Sequence, residues 1–331
     1  MTHPPLISVI VVAWNAGEWL RHCLDALDAQ TFREFETIVV DNGATDGCWR
    51  AAEGRPGVRL IHAGANLGFA AGNNLAAREA AGTWLALLNP DAIAAPDWLE
   101  KLAAATRRHP GATMFGSLQV DHADPSRLDG CGDVYHVSGL AWRGGYGRPE
   151  AERPRADAEV FAPCAAAALY RRDAFLAAGG FDEDWFCYFE DVDLGFRLRL
   201  MGGRAVQVAD AVVRHVGSAS TGRRSAFAVY HGTRNRLWTF AKDMPLPALV
   251  LFAPLHLAMS LLMLAKAVPQ GVLGPTLRGL GDGVKGLPRV LAKRRRVARG
   301  GSALGAMAWS PLAALGRRPV ARPVTYREEG R

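Results

Sequence analysis

Leu6-Ile-Ser-Val-Ile-Val-Val-Ala13 is followed, one helix-length segment later, by Phe35-Glu-Thr-Ile-Val-Val40-Asp-Asn-Gly43. The first run is almost continuously apolar and rich in β-branched residues, the pattern of a strand buried on both faces. Between the two runs, Trp19, Leu20, Cys23, Leu24 and Leu27 recur at helical spacing across residues 15–30. Strand, helix, strand is therefore legible from this stretch alone.

Further along, residues 58–61 predict a third strand and 69–81 an Ala-rich helix closed by Gly82. Residues 84–88 predict a fourth strand, and 95–107 a helix with Pro96 in its first turn. The β-α-β-α-β order predicts a doubly wound parallel sheet. Ligands of such sheets sit beyond the carboxyl ends of the strands. Asn15, Asp41, Asn42, Asn66 and Asp91 all stand at such ends. Residues 121–158 mix Gly, Pro, Arg and Asp and read as a mobile flap. Residues 160–171 look strand-like, 189–201 helical, 205–208 and 211–215 like two short strands, and 227–242 helical.

The chain has 331 residues, 49% hydrophobic and 21% charged, which is globular composition and excludes wholesale disorder. Five scattered cysteines without a C-x-x-C exclude a disulfide framework and a Cys-rich zinc site, and fit a reducing compartment. No basic segment precedes the first apolar run, so the chain is expected to start in the cytoplasm. The net charge of +7 is unevenly placed. Residues 245–331 hold 14 Lys and Arg against 3 Asp and Glu, a net of +11, leaving residues 1–244 at −4.

Residues 244–265 carry no formal charge and have basic residues on both sides. Two positive flanks conflict with a simple span. They predict a re-entrant or interfacial helix on an anionic membrane surface, rather than a nucleic-acid partner. The alternative is a helix packed in the core or in a homodimer.

Four patterns carry chemistry. Val39-Val-Asp-Asn-Gly-Ala-Thr-Asp-Gly47 ends the second strand, and Asn66-Leu-Gly-Phe-Ala-Ala-Gly-Asn-Asn74 opens a helix. Leu87-Leu-Asn-Pro-Asp91 ends the fourth strand, and Gly180-Phe-Asp-Glu-Asp-Trp-Phe-Cys-Tyr-Phe-Glu-Asp-Val-Asp-Leu194 leads into a later helix. In this order and spacing, over roughly residues 6–240, they resemble the family 2 glycosyltransferases of GT-A fold, in particular the bacterial rhamnosyltransferase-like branch.

The resemblance implies a Rossmann-like, doubly wound, mostly parallel sheet with a C-terminal helical, membrane-associating extension. Residues 1–222 would be the catalytic domain, with a donor half to about residue 120 and an acceptor half beyond it. Residues 223–300 would be helical, apolar then basic and membrane-associating, and 301–331 a flexible basic tail.

It also implies roles. Ala13, Asn15, Asp41, Asn42, Asn66, Gly68, Asn73 and Asn89 would bind the nucleotide-sugar donor. For Asp41 and Asn42 the residues alone allow a turn instead; for Asn66 and Gly68 they allow a helix cap. Asp91 and His215 would hold Mg2+ or Mn2+; the residues alone allow Asp91 as a capping Asp after Pro90 and His215 as a structural strand-end histidine. Asn89 replaces the first Asp of the usual D-x-D, and one protein carboxylate suffices where phosphates supply the remaining oxygens. Asp191 would be the catalytic base and Glu190 would orient the acceptor. Both stand at a helix N-terminus, where the dipole favours ionised carboxylates. Asp193 is spaced to pair with Arg197.

The expected activity is inverting transfer of one sugar from dTDP-rhamnose, with UDP sugars next, to a lipid-linked or cell-envelope glycan at the inner leaflet. No Q-x-x-R-W is present, which argues for single-sugar addition. Gly43-Ala44 stands where the family more usually has Ala-Ser, and Cys164-Ala165 where it often has Gly. A non-catalytic sugar-nucleotide scaffold would have lost Asp191. A nucleotidyltransferase would carry a Gly-rich, basic phosphate loop where Ala13-Trp-Asn-Ala16 stands. Gly281-Asp-Gly-Val-Lys-Gly286 matches G-x-G-x-x-G but follows no strand, so it is not a dinucleotide site.

Overall fold

A computed structural model describes residues 4–217, 225–294, 303–310 and 322–324. The first half alternates as expected: β1 (Ile7–Ala13), α1 (Trp19–Asp28), β2 (Phe35–Asp41), β3 (Val58–His62), α2 (Gly68–Glu79) and β4 (Trp84–Leu88). Every residue of β1 is buried, which is why its sequence shows no alternation. β1 lies parallel between β2 and β4, in a register that sets Ala13 beside Asp41; β2 in turn sets Asp41 beside His62. The carboxyl ends are thus level, and the loops leaving them share one edge.

The second half adds β5 (Ala92–Ala94), α3 (Trp98–Arg108), β6 (Met114–Asp121), β7 (Leu128–Gly130), β8 (Asp133–Tyr135), β9 (Ala141–Arg143), β10 (Ala158–Val160), β11 (Ala167–Arg171) and α4 (Arg172–Ala177). Then come α5 (Glu190–Leu200), β12 (Ala205–His215), α6 (Ala226–Asp243), α7 (Leu246–Ala267), α8 (Leu273–Lys293) and β13 (Arg322–Pro323). The main sheet runs β13-β10-β12-β6-β11-β4-β1-β2-β3, with β5 on β12 and β7 on β6. β11 is antiparallel to both its neighbours, so the sheet is mixed rather than wholly parallel.

Three local expectations change. Residues 121–158 are not a plain flap. They hold β7 and the β8–β9 hairpin, with Leu128, Cys131, Val134, Tyr135 and Val137 buried. Residues 160–171 are not one strand: β10 pairs with β12, whereas β11 sits between β4 and β6. The two short strands at 205–215 are one, β12, whose pairing with β6 shifts between Gln207 and Val212. That bulge re-aims its far end toward β5.

α6 packs between α5 and α8. A Cβ on Gly279 would lie 2.7 Å from the Tyr230 carbonyl oxygen, and one on Gly286 2.5 Å from the Trp238 ring. Gly283 and Gly286 of the G-x-G-x-x-G decoy, with Gly279 before it, therefore let α8 approach α6, whereas a Cβ on Gly281 would meet nothing within 4 Å. α7 turns His256 and Ser260 inward: the His256 ring stacks on Phe240 at 4.1 Å, and Ser260 accepts a hydrogen bond from Arg236 at 2.6 Å. Its other face exposes Val250, Leu251, Leu257 and Leu261. Of the expected flexible tail, Ala303 and Met307 are buried against Tyr135, Phe196 and Phe240, and β13 pairs with β10. Tail residues 301–302, 311–321 and 325–331, and residues 295–296 of the basic run, lie outside the described residues.

Candidate active site

A cleft of about 390 Å³ opens beyond the carboxyl ends of β1, β2 and β4. Its first wall comes from β2 and α2. Asn42 accepts the Leu67 N–H at 3.0 Å and donates to Asn66 Oδ1 at 3.1 Å and the Gly68 carbonyl at 3.2 Å. Asn66 Oδ1 also accepts the Gly68 N–H at 2.9 Å. These bonds fix the start of α2, whose positive dipole end faces the cleft. Gly68 has φ +82°, and a Cβ there would meet the Phe186 carbonyl oxygen at 2.6 Å.

Asn42, Asn66 and Gly68 line the cleft. Ala13, Asn15 and Asp41 sit behind or beside that wall. Ala13 is buried, Asn15 accepts the Thr45 N–H at 2.8 Å, and Asp41 accepts the Ala44 N–H at 3.0 Å and pairs with His62 at 2.8 Å. Asn73 is turned into its own helix, where it donates to the Phe69 carbonyl at 2.9 Å. It is not part of the cleft wall.

The second wall brings Asn89, Asp91 and His215 together. His215 pairs with Ala92 across β12 and β5, one residue from Asp91. Its Nδ1 bonds Asp129 Oδ2 at 2.7 Å, which leaves Nε2 3.3 Å from Asp91 Oδ1 and 3.4 Å from the Asn89 amide. Asn89 Oδ1 is buried with no hydrogen-bond partner. An orphaned amide oxygen, a carboxylate and an oriented imidazole nitrogen suit Mg2+ or Mn2+. Asp129 behind the ring is the partner that fixes a ligating histidine. Burial pushes the His215 pKa down, but its bonds to Asp129 and Asp91 outweigh this and leave it raised.

The third wall is the loop entering α5. Phe186, Tyr188 and Phe189 have φ of 64°, 68° and 69°, rare for residues with side chains. They deliver Glu190 and Asp191 to the cleft. Asp191 accepts the Val192 N–H at 2.8 Å and the Ala165 N–H at 3.1 Å. Burial raises its pKa, and those two N–H groups and Arg143 moderate the rise. Glu190 is pushed far up by burial and by Asp191, and its Oε2 has no partner. Burial thus outweighs the helix dipole that was expected to keep Glu190 ionised. Asp193 pairs with Arg197 at 2.7 Å, as its spacing predicts.

Asp129, Asp133 and Arg143 were not foreseen. Asp133 and Arg143 are cross-strand partners in the β8–β9 hairpin, and both line the cleft. Arg143 also pairs with Asp129. Asp133, Cys164 and Asp191 bring ligand atoms within 4.8 Å of one another. Burial pushes the Cys164 thiol up to about 12, however, so it is a poor thiolate donor. The Asn89–Asp91–His215 set is the better cation site.

Residues 8–177 match the family model described as glycosyl transferase family 2. The chain belongs to that family. This family 2 member is 35% identical over 254 residues to the N-acetylglucosaminyl-diphospho-decaprenol L-rhamnosyltransferase of Mycobacterium tuberculosis, spanning 68% of this chain and 81% of that one. It is 32% identical over 235 residues to the O-antigen biosynthesis protein RfbC of Myxococcus xanthus, spanning 65% of this chain and 18% of that one.

Among solved structures it is similar to the mannosyltransferase PcManGT from Pyrobaculum calidifontis in complex with GDP-Man and Mn2+. The TM-score is 0.54 at 21% identity, over 89% of this chain and 86% of that one. It is likewise similar to residues 1–349 of S. aureus TarS in complex with UDP-GlcNAc, with a TM-score of 0.56 at 18% identity and 88% of each chain covered. The family 2 chain is a glycosyltransferase of GT-A fold, with C-terminal helices of which one, α7, is long and apolar enough to cross a membrane. The matched family segment ends before Glu190, Asp191 and His215.

Proposed function

We propose that this glycosyltransferase moves one sugar, with inversion, from a nucleoside-diphosphate sugar to a hydroxyl of a lipid-linked or cell-envelope glycan. dTDP-rhamnose is the first choice of donor and UDP sugars the second. The choice of sugar and acceptor draws on the mycobacterial relative's name. The observation that carries the reaction type is Asp191, a buried carboxylate held by two N–H groups in the same cleft as the Asn89–Asp91–His215 arm.

Asp191 takes the proton of the acceptor hydroxyl. The oxygen then attacks the anomeric carbon from the face opposite the diphosphate, and the sugar–oxygen bond breaks with its electron pair leaving on the phosphate. A raised pKa makes Asp191 a stronger base than an exposed carboxylate. Glu190 orients the acceptor by hydrogen bonding. Asn42, Asn66 and Gly68 set the donor against the start of α2. Asn89, Asp91 and His215 would hold a divalent cation, which would supply Lewis-acid stabilisation to the departing diphosphate.

The protein is further read as cytoplasmic and peripheral on the inner membrane face, with the exposed leucines of α7 toward lipid. Leu277 and Val284 are also exposed on α8, and Arg278 and Lys285 add cationic charge there. The packing of α6 against α5 and α8 supports reading α7 as the start of the membrane-associating part.

The test is a screen of dTDP-rhamnose and UDP sugars for transfer to a prenyl-diphosphate-linked GlcNAc, with product anomers assigned by NMR. Asp191→Asn should keep nucleotide binding and lose about 10²–10⁴-fold in transfer rate. Wild-type-like transfer by that variant would overturn the assignment.

A further inference from the structure

The loop that delivers the catalytic carboxylate cannot hold its own shape. Phe186, Tyr188 and Phe189 all adopt positive φ without being glycine. Such conformations persist only where the surroundings over-determine them. Backbone turned this way also aims carbonyls off any helix or sheet ladder, and each buried one needs a donor.

Most of those donors come from two adjacent residues of α6, while the Phe186 carbonyl accepts the Ala70 N–H of α2 at 3.1 Å. Asn235 is fully buried, and its Nδ2 donates to the carbonyls of Trp185 at 2.9 Å, Cys187 at 3.0 Å and Tyr188 at 2.7 Å. Arg234 Nη2 donates to the carbonyls of Asp184 at 3.1 Å and Trp185 at 3.0 Å. Arg234 Nε in turn donates to Asn235 Oδ1 at 2.9 Å, which fixes the amide's orientation. Further along α6, Thr239 accepts the Trp185 indole N–H at 3.0 Å and Lys242 lies 4.2 Å from that ring's centre. One helix therefore grips most of the approach to α5, and α5 begins at Glu190.

We infer that Asn235, with Arg234 behind it, is a positioning residue for the reaction: its three hydrogen bonds set the strained turn that places Asp191 against the acceptor hydroxyl. The inference rests on the reading of Asp191 as base. An amide is needed at this position because it offers two hydrogens to the converging carbonyls while its oxygen receives Arg234. A carboxylate of the same shape would face three carbonyls with none to give. Misplacement of a base by about 1 Å costs up to about 10²-fold in rate.

The test uses the full chain carrying Asn235→Ala, Asn235→Asp or Asp191→Asn, and the double variant of Asn235→Ala with Asp191→Asn. Melting temperature, dTDP and UDP binding with Mn2+, and transfer from dTDP-rhamnose are measured across pH. Asn235→Ala should lose about 30–100-fold in kcat with nucleotide affinity within about 3-fold. In the Asp191→Asn background it should cost nothing further, because it acts through that residue. The acid limb of its pH profile should shift upward, since a displaced Asp191 loses N–H groups that lower its pKa. Asn235→Asp should be at least as impaired.

If the Asn235 variants do not fold, Arg234→Met, which removes two of the five bonds, should show the same pattern at about 3–10-fold. A kcat within 3-fold of wild type in the folded Asn235 variants, or a full repeat of the loss on the Asp191→Asn background, would overturn the inference while leaving the base assignment standing. Wild-type transfer by Asp191→Asn alone would instead remove the base assignment.

Discussion

Gly68→Ala presses on two walls of the cleft with one methyl group. Gly68 has φ +82°, a conformation that costs an L-residue about 1–2 kcal/mol. The new Cβ would also sit 2.6 Å from the Phe186 ring and 2.6 Å from the Phe186 carbonyl oxygen, where ordinary contact begins at 3.4 Å. The ring can rotate. The carbonyl is main chain and accepts the Ala70 N–H at 3.1 Å, so the loop itself must retreat by about 0.8 Å. A shift of that order, five residues before the proposed base Asp191, should lower kcat by about 10–100-fold.

Gly64→Ala supplies the comparison: Gly64 has φ +75°, but a Cβ there meets nothing within 4 Å. It should share the strain, seen as a lower urea midpoint, and keep its kcat. Initial rates and urea unfolding on both variants separate backbone strain from loop displacement. Equal kcat values in the two would refute the reasoning.

The remaining predictions are more direct. Asp91→Ala and His215→Ala should each raise the Mn2+ concentration for half-maximal transfer, and less than additively when combined, since both act on one ion; wild-type transfer insensitive to EDTA would remove the ion from the scheme. Burial alone would raise the Asp193 pKa, but Arg197 and Lys242 bring it to about 2. A folded pKa below the unfolded value of about 3.9 gives stability that is full above about pH 4 and lost as pH falls through about 2. Asp193→Asn should therefore flatten the fall of urea stability across that window, and an unchanged slope would contradict the pairing. Leu257→Asp together with Leu261→Asp, on the exposed face of α7, should abolish flotation with anionic vesicles while sparing transfer to a soluble acceptor. Wild-type protein that ignores vesicles and elutes as a dimer would assign that face to a second copy.

The first half of the fold was legible because β1, β4 and most of β2 are buried and its helices carry apolar faces. β1, β2 and β4 announce themselves as apolar runs, and the polar residues at their ends follow from topology. The second half was not. β7, β8 and β9 are three residues each, shorter than any periodicity can register, so Asp129, Asp133 and Arg143 lay hidden in what read as a loop. β12 looked like two strands because exposed Asp210 and its half-buried neighbour Ala209 sit in the bulge. Asn73 looked like a ligand because amides cluster after Gly68. Its amide closes on the preceding turn, and Asn74 exchanges hydrogen bonds with the backbone of Phe181 at 2.8 and 2.9 Å. Arg234 and Asn235 carried no signal, since a polar pair on a helix reads as solvated until its burial is known.

The leucine face of α7 bears on kinetics as well as on location. Under the proposed attachment, enzyme and lipid-linked acceptor share a layer roughly 5–10 Å deep. Encounter is then a search in two dimensions, governed by how many acceptor molecules occupy each unit of leaflet area. Diluting the acceptor with inert lipid should slow turnover even when its amount per millilitre is unchanged. Adding more vesicles of fixed composition should saturate the rate once all the enzyme is bound.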